Sequence, residues 1–265
     1  MNRANPISVL LTSLPLEFEQ AVRQVAAMEF THVDLVAEIA RPPSHYEVLA
    51  ESALTVSCCP IGRGVPEEQT LDTPDVSNRR AAVEAFQRQI ADAALLGATH
   101  GYVISGKDSS PDGLARFAES CGILADFAAA RMVKLCVEHI PGRALATAAA
   151  TLDWLVQLGH ANLFLLLDIG HCLITSENAA ELIHRAGSRL GYVHFDDNDG
   201  IGDLHWALLT GKLTEANLRD SLEALPRAGY RGPLALELSP KNADPAAALK
   251  EGKALLSRLA VSQDA

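Results

Sequence analysis

Cysteine is sparse in this chain: Cys58, Cys59, Cys121, Cys136 and Cys172 are odd in number and none is spaced as CxxC. Neither a disulfide framework nor a thiolate zinc site is indicated, and a reducing compartment is the simpler reading. No stretch reaches the roughly 18 consecutive apolar residues of a membrane span. The first residues, MNRANPISVLLTSLPLEFEQ, carry a short apolar run that meets Glu17 with no small-residue cleavage site. No signal peptide is read, and the expected location is cytoplasmic. Basic residues are outnumbered, 22 Lys+Arg against 33 Asp+Glu for a net charge of −11, which disfavours nucleic acid as a partner. Nucleotide-binding glycine motifs are missing as well: no GxGxxG follows a strand-like run, and no GxxxxGK precedes Ser or Thr. Linkers and low-complexity tracts are absent, so residues 1–265 read as one domain, with a frayed tail at 262–265.

What is present is an ordinary globular composition, 48% hydrophobic with 18 Gly and 13 Pro, in a strict alternation of short apolar runs and longer helical stretches. Strands are expected at 7–11, 32–36, 54–58, 100–104, 134–138, 163–168, 190–195 and 233–238. Helices are expected at 16–26, 44–52, 77–96, 111–130, 146–158, 178–186, 214–228 and 246–259. Pro111 suits a first helical turn and Gly97 follows a helix end. Apolar runs such as Leu163-Phe164-Leu165-Leu166-Leu167 suit a parallel sheet covered by helices. Eight βα units in roughly 250 residues is the count of an α/β fold of the single (β/α)8 TIM-barrel type. A doubly wound open sheet is the alternative that periodicity does not separate from it.

Strand C-termini converge on one face of a parallel barrel, so polar residues there can meet although far apart in sequence. Four late strands end with such residues: Glu138, Asp168, His194 and Glu237. Any one of them reads as a cap or a solvated loop residue. Four together are costly beside apolar strands unless they share a cation, and an O/O/O/N set suits a hard divalent ion.

The ordered series Glu138, Asp168-Ile169-Gly170-His171, His194-Phe195-Asp196-Asp197, Asp203-Leu204-His205, Gly211 and Glu237 resembles the xylose-isomerase-like barrels of sugar isomerases and epimerases. The resemblance implies one metal ion on Glu138, Asp168, His194 and Glu237, with Mn²⁺ first among Mn²⁺, Mg²⁺, Co²⁺ and Zn²⁺. It also implies proton handling by the two glutamates and a substrate contact from His171. Asp203 and His205 complete a polar wall for a polyhydroxy small molecule, and a homo-oligomer is compatible with such a barrel. The epimerase branch carries an arginine six residues beyond the strand-seven histidine, where this chain has Gly200. Arg63, Lys107 and Arg143 lie on loops expected at the same face and are the available substitutes. The nuclease branch has histidines at earlier strand ends, where this chain reads Ser57-Cys58-Cys59-Pro60 and Val103-Ile104-Ser105-Gly106.

The resulting expectation is an isomerase or epimerase of a sugar, ketose or inosose. A proton moves next to a carbonyl through a cis-enediolate held on the metal, with Glu138 and Glu237 removing and returning it. Three alternatives use the same residues: a dehydratase acting on an inosose or dehydroshikimate-like acid, an endonuclease-like metal-dependent hydrolase, and a sugar-binding barrel without turnover. His139 follows Glu138 and points the other way if the pleat continues, so it is left outside the catalytic set.

Overall fold

The computed structural model describes residues 5–261, and the tail at 262–265 lies outside them. Its strands are β1 (Ile7–Val9), β2 (His32–Val33), β3 (Thr55–Val56), β4 (Cys58–Pro60), β5 (His100–Ile104), β6 (Lys134–Glu138), β7 (Leu163–Asp168), β8 (Leu190–Phe195) and β9 (Leu234–Leu236). All pairings between these strands are parallel, and one ladder runs β1-β9-β8-β7-β6-β5-β4. Backbone hydrogen bonds close the gap. Asp34 N donates to Val9 O and Leu11 N to Asp34 O, both at 2.9 Å, while Leu35 N donates to Cys58 O and Ala37 N to Pro60 O, both at 3.1 Å. Ser57 bonds to both sides, its N to Val33 O and its O to His100 N, so β3 and β4 are two halves of one strand. The count is therefore eight, and the fold is a (β/α)8 barrel.

The helices are α1 (Phe18–Ala27), α2 (Pro43–Ser52), α3 (Val76–Leu95), α4 (Pro111–Ala129), α5 (Ala148–Leu158), α6 (Ile169–Thr175), α7 (Ala179–Ala186), α8 (Glu215–Arg227) and α9 (Pro245–Val261). Two helices begin later than periodicity suggests because residues expected in their first turns are caps. Thr147 Oγ1 accepts from Ala150 N and Asn178 Oδ1 from Glu181 N, each typically worth about 1 kcal/mol. The expected third strand, 54–58, sits further along, at Thr55–Pro60. Helix α6 is an element that the sequence pattern does not announce, since seven residues are too few for a helical period to register.

Strand residues divide by alternation. On β7, Leu163, Leu165 and Leu167 pack outward with the helices, while Leu166 turns into the barrel beside Cys58, Tyr102, Cys136, Tyr192 and Ala235. This inner layer is the floor on which the polar strand ends stand.

A buried ionic network pins the β2–α2 loop to α3. The Arg41 guanidinium, with no side-chain exposure, donates to Asp92 at 2.9–3.2 Å and to Val36 O at 2.6 Å, and lies 2.9 Å from Glu38. Tyr46 OH and Glu38 N also donate to Asp92. Removing one partner of such a network strands the other charge out of water. Arg41→Ala is expected to destabilise the fold by about 3–5 kcal/mol, read as a lowered urea midpoint; a midpoint unchanged from wild type would contradict this account.

Candidate active site

The four strand-end residues follow directly from the two-residue period of the strands. Cys136, Leu166, Tyr192 and Ala235 face inward, and two positions further along come Glu138, Asp168, His194 and Glu237. Alternation alone therefore aims all four at the barrel axis. Their exposures are 4%, 0%, 1% and 8%, and their ligand atoms lie within 4.8 Å of one another. His194 Nδ1 is the hub, 2.5 Å from Glu237 Oε2, 3.2 Å from Glu138 Oε1 and 3.8 Å from Asp168 Oδ2. The His194 ring is held edge-on by Tyr102 and Tyr192, at 5.3 and 5.8 Å.

Asp168 serves two purposes with its two oxygens. Oδ1 caps α6 by accepting from His171 N at 2.9 Å, while Oδ2 is buried in the cluster with no hydrogen-bond donor. Glu237 Oε2 is likewise without a donor in hydrogen-bonding geometry. Buried carboxylate oxygens left this way are costly, and three carboxylates around one imidazole form a hard donor set. The residues fit a divalent cation.

Electrostatics agree with that demand. Burial and then the nearby Glu237 charge push the Glu138 carboxyl up, against the hydrogen bond from His194. Burial opposes ionisation of Glu237 and Asp168 too, but neighbouring imidazoles hold Glu237 below its usual range and Asp168 at about 2. Burial would discharge His194; the carboxylates of Glu237 and Glu138 outweigh it and hold the ring protonated well above its usual range.

A second polar group borders the first. His171 Nδ1 donates to His139 O at 2.7 Å, His171 Nε2 meets Asp203 Oδ1 at 3.1 Å, and His205 Nε2 meets the same oxygen at 3.0 Å. His205 Nδ1 sits 2.7 Å from Asp196 Oδ2. Burial works against a charge on His171, but Asp168 and Asp203 raise its pKa to about 10, and Asp196 and Asp203 raise that of His205 further. His139 stands outside the four-residue cluster and supports it from behind, with Nε2 accepting from Asp168 N at 3.2 Å. Burial and the His171 charge keep it neutral, with a pKa lowered to about 4.

Asp196 and Asp197, which the sequence reading carried within a motif without giving them a role, and Asn242, which it did not single out, border the site. Asp196 is wholly buried against Gly170, where any Cβ would collide with its carboxylate. Its place two residues beyond His194 was the available signal. Asp197 folds the long loop after β8 by accepting from the backbone N–H groups of Asn198, Gly211 and Leu213. Asn242 clamps the His205 segment, accepting from Ala207 N and donating to His205 O.

The substitutes for the missing arginine are not joined to the cluster. Arg63 and Lys107 are exposed and Arg143 is half-buried; among the described residues none of them makes an ion pair. Gly200 occupies a left-handed turn at φ +79°, with the Lys212 stem across it. Trp206 lines a groove of about 710 Å³ with Leu204, Lys241 and Ala247. No helix among the described residues is long and apolar enough to cross a membrane.

Comparison with known proteins places these observations. A family model described as a xylose isomerase-like TIM barrel matches residues 21–259. A D-psicose 3-epimerase of Agrobacterium fabrum is 28% identical over 162 residues, 55% of this chain and 56% of that protein. An L-ribulose 3-epimerase of Mesorhizobium japonicum is 28% identical over 190 residues, 67% of this chain and 60% of the relative. The chain thus spans little more than half the length of these relatives. A solved structure of an L-ribulose 3-epimerase superposes with a TM-score of 0.81 at 22% identity, covering 99% of this chain and 96% of that one, a likeness of fold.

Proposed function

The chain belongs to the xylose isomerase-like TIM barrel family, and on that premise we propose that its single barrel domain is a divalent-metal-dependent isomerase or epimerase of a ketose or inosose. The observation that carries this reading is the convergence of Glu138, Asp168, His194 and Glu237, with buried oxygens of Asp168 and Glu237 lacking donors. The relatives' names, D-psicose 3-epimerase and L-ribulose 3-epimerase, support a sugar epimerase.

These four residues would hold the cation, Mn²⁺ first, which when bound supplies Lewis acidity toward a substrate carbonyl oxygen. The remaining chemistry falls to side chains. Glu237, held ionised, takes the proton from the carbon next to the carbonyl, and Glu138, pushed toward its protonated form, returns one. They rise from β9 and β6, with β7 and β8 between them, so two carboxyls reach the same carbon from separate directions. His171 and His205, whose ring nitrogens are all engaged by His139 O, Asp203 and Asp196, act on the substrate through their charge, and Asp203 holds both rings in place. This pair supplies fixed positive charge in a chain whose loop offers Gly200 in place of an arginine.

Loaded with Mn²⁺ and incubated in D₂O with a panel of ketoses and inososes, the protein should exchange the C–H next to a carbonyl and accumulate the epimer or isomer, as read by NMR. One observation favours a second reading. His171 Nε2, Asp203 Oδ1 and His205 Nε2 form another group able to take a cation, as a hydrolase using two ions would require. Cleavage of a phosphodiester with two bound ions, and no C–H exchange, would select it.

A further inference from the structure

Asp34 is a buried carboxylate that the reaction above does not use. It follows β2, where Val33 and Leu35 turn outward into the helix-packed core, so alternation points Asp34 into the barrel. It is 1% exposed, and among the described residues the hydrogen-bond donors to its side chain are hydroxyls: Ser8 Oγ at 2.7 Å and Tyr192 OH at 2.8 and 3.0 Å. Among the described residues no lysine or arginine pairs with it, and Arg41, near the same strand end, is committed to Asp92 and Glu38. A buried carboxylate with neutral donors only is an electrostatic liability unless positive charge lies nearby.

A positive charge that acts on it is that of His194. Tyr192, which bonds Asp34, packs its ring at 90° against His194, the hub of the four-residue cluster. The charges of His194 and Glu237 both act on Asp34. We propose that Asp34 is a positioning residue for the site's cation: without touching the ion, it adds a fixed negative charge beneath the cluster and raises the affinity with which the ion is held. This rests on the metal-dependent reading given above.

The groups facing Asp34 are Ser8 from β1, Cys58 and Cys59 from β4, Tyr192 and His194 from β8, Glu237 after β9, and Tyr230. Burial keeps the two thiols and the two phenols neutral. Burial raises the Asp34 carboxyl to about 6, against the pull of Ser8, His194 and Tyr192. Because that folded value lies above the unfolded one, ionised Asp34 costs the metal-free fold stability as pH rises through about 6. Its retention is then paid back only when the cation is bound.

Asp34→Asn keeps the shape and an acceptor for the hydroxyls but removes the charge. The metal-free variant is expected to melt no lower than wild type at pH 7.5, while its Kd for Mn²⁺ by calorimetry rises on the order of tenfold. An affinity within twofold of wild type overturns the proposal. So does a weaker affinity accompanied by a lower Tm, which marks a packing role. Ser8→Ala provides a second test should Asp34→Asn fail to fold. By removing a donor it makes Asp34 harder to ionise, so Mn²⁺ affinity should fall about threefold at pH 6 and match wild type at pH 8; a deficit equal at both pH values overturns the proposal. Absence of any divalent-ion binding by wild type would instead sink the functional reading on which this rests.

Discussion

Glu237→Gln and Glu138→Gln are each expected to lower turnover of the ketose or inosose substrate by about a thousandfold or more, within the range for loss of a positioned acid or base. Glutamine keeps the length of the side chain and one oxygen able to face the cluster, so the barrel should fold and the inner layer stay packed. It cannot take or return a proton. The two variants should differ in what survives. With Glu237 replaced, the residue held ionised is gone, and exchange of the substrate C–H with D₂O should stop. With Glu138 replaced, abstraction by Glu237 remains possible while delivery from the other side fails, so exchange should outlast net epimerisation. Full activity in either variant would refute the division of labour between the two glutamates.

Metal content is the second large effect. Wild-type protein stripped with chelator and reloaded with Mn²⁺ should retain about one equivalent on desalting, as elemental analysis would read it. His194→Ala should retain none under the same conditions. His194 Nδ1 is the atom from which the other three ligands are all within 3.8 Å, and its loss leaves three buried carboxylates facing one another. Outer-layer partners of metal ligands commonly change affinity 10–100-fold, and loss of a ligand itself should exceed that range. Two equivalents in wild type, with the second lost in His205→Ala, would move the hydrolase reading to the front. No retained metal at any loading would remove the premise of both.

Much of this site could be read before the fold was known because it depends on local regularities. Glu138, Asp168, His194 and Glu237 each end an apolar strand in phase with inward-facing residues, and a parallel barrel gathers strand ends on one face whatever its loops do. The strand bounds 100–104, 134–138, 163–168 and 190–195 coincide with β5, β6, β7 and β8 for the same reason. These strands, buried on both faces, are runs of five or six residues whose composition leaves little choice of phase.

Other features had no local mark. Arg41 and Asp92 are 51 positions apart, and nothing in either neighbourhood says that a guanidinium will be enclosed there. Asp34 reads in sequence as one polar residue among apolar ones; its acceptance from Tyr192, 158 positions away, makes it part of the site's floor. Gly170 looks like a helix-start glycine until Asp196 is found filling the space its side chain would need. The amino-acid order by itself determined the strand phase, the eight-fold count and the set of groups able to hold a cation, since each follows from a period of two or from a residue type. Only the tertiary structure decided which groups are charged, which are orphaned and which oxygen faces which ring. Those depend on how far each strand slides against its neighbour and on the water excluded when the barrel closes, and no local pattern encodes either quantity.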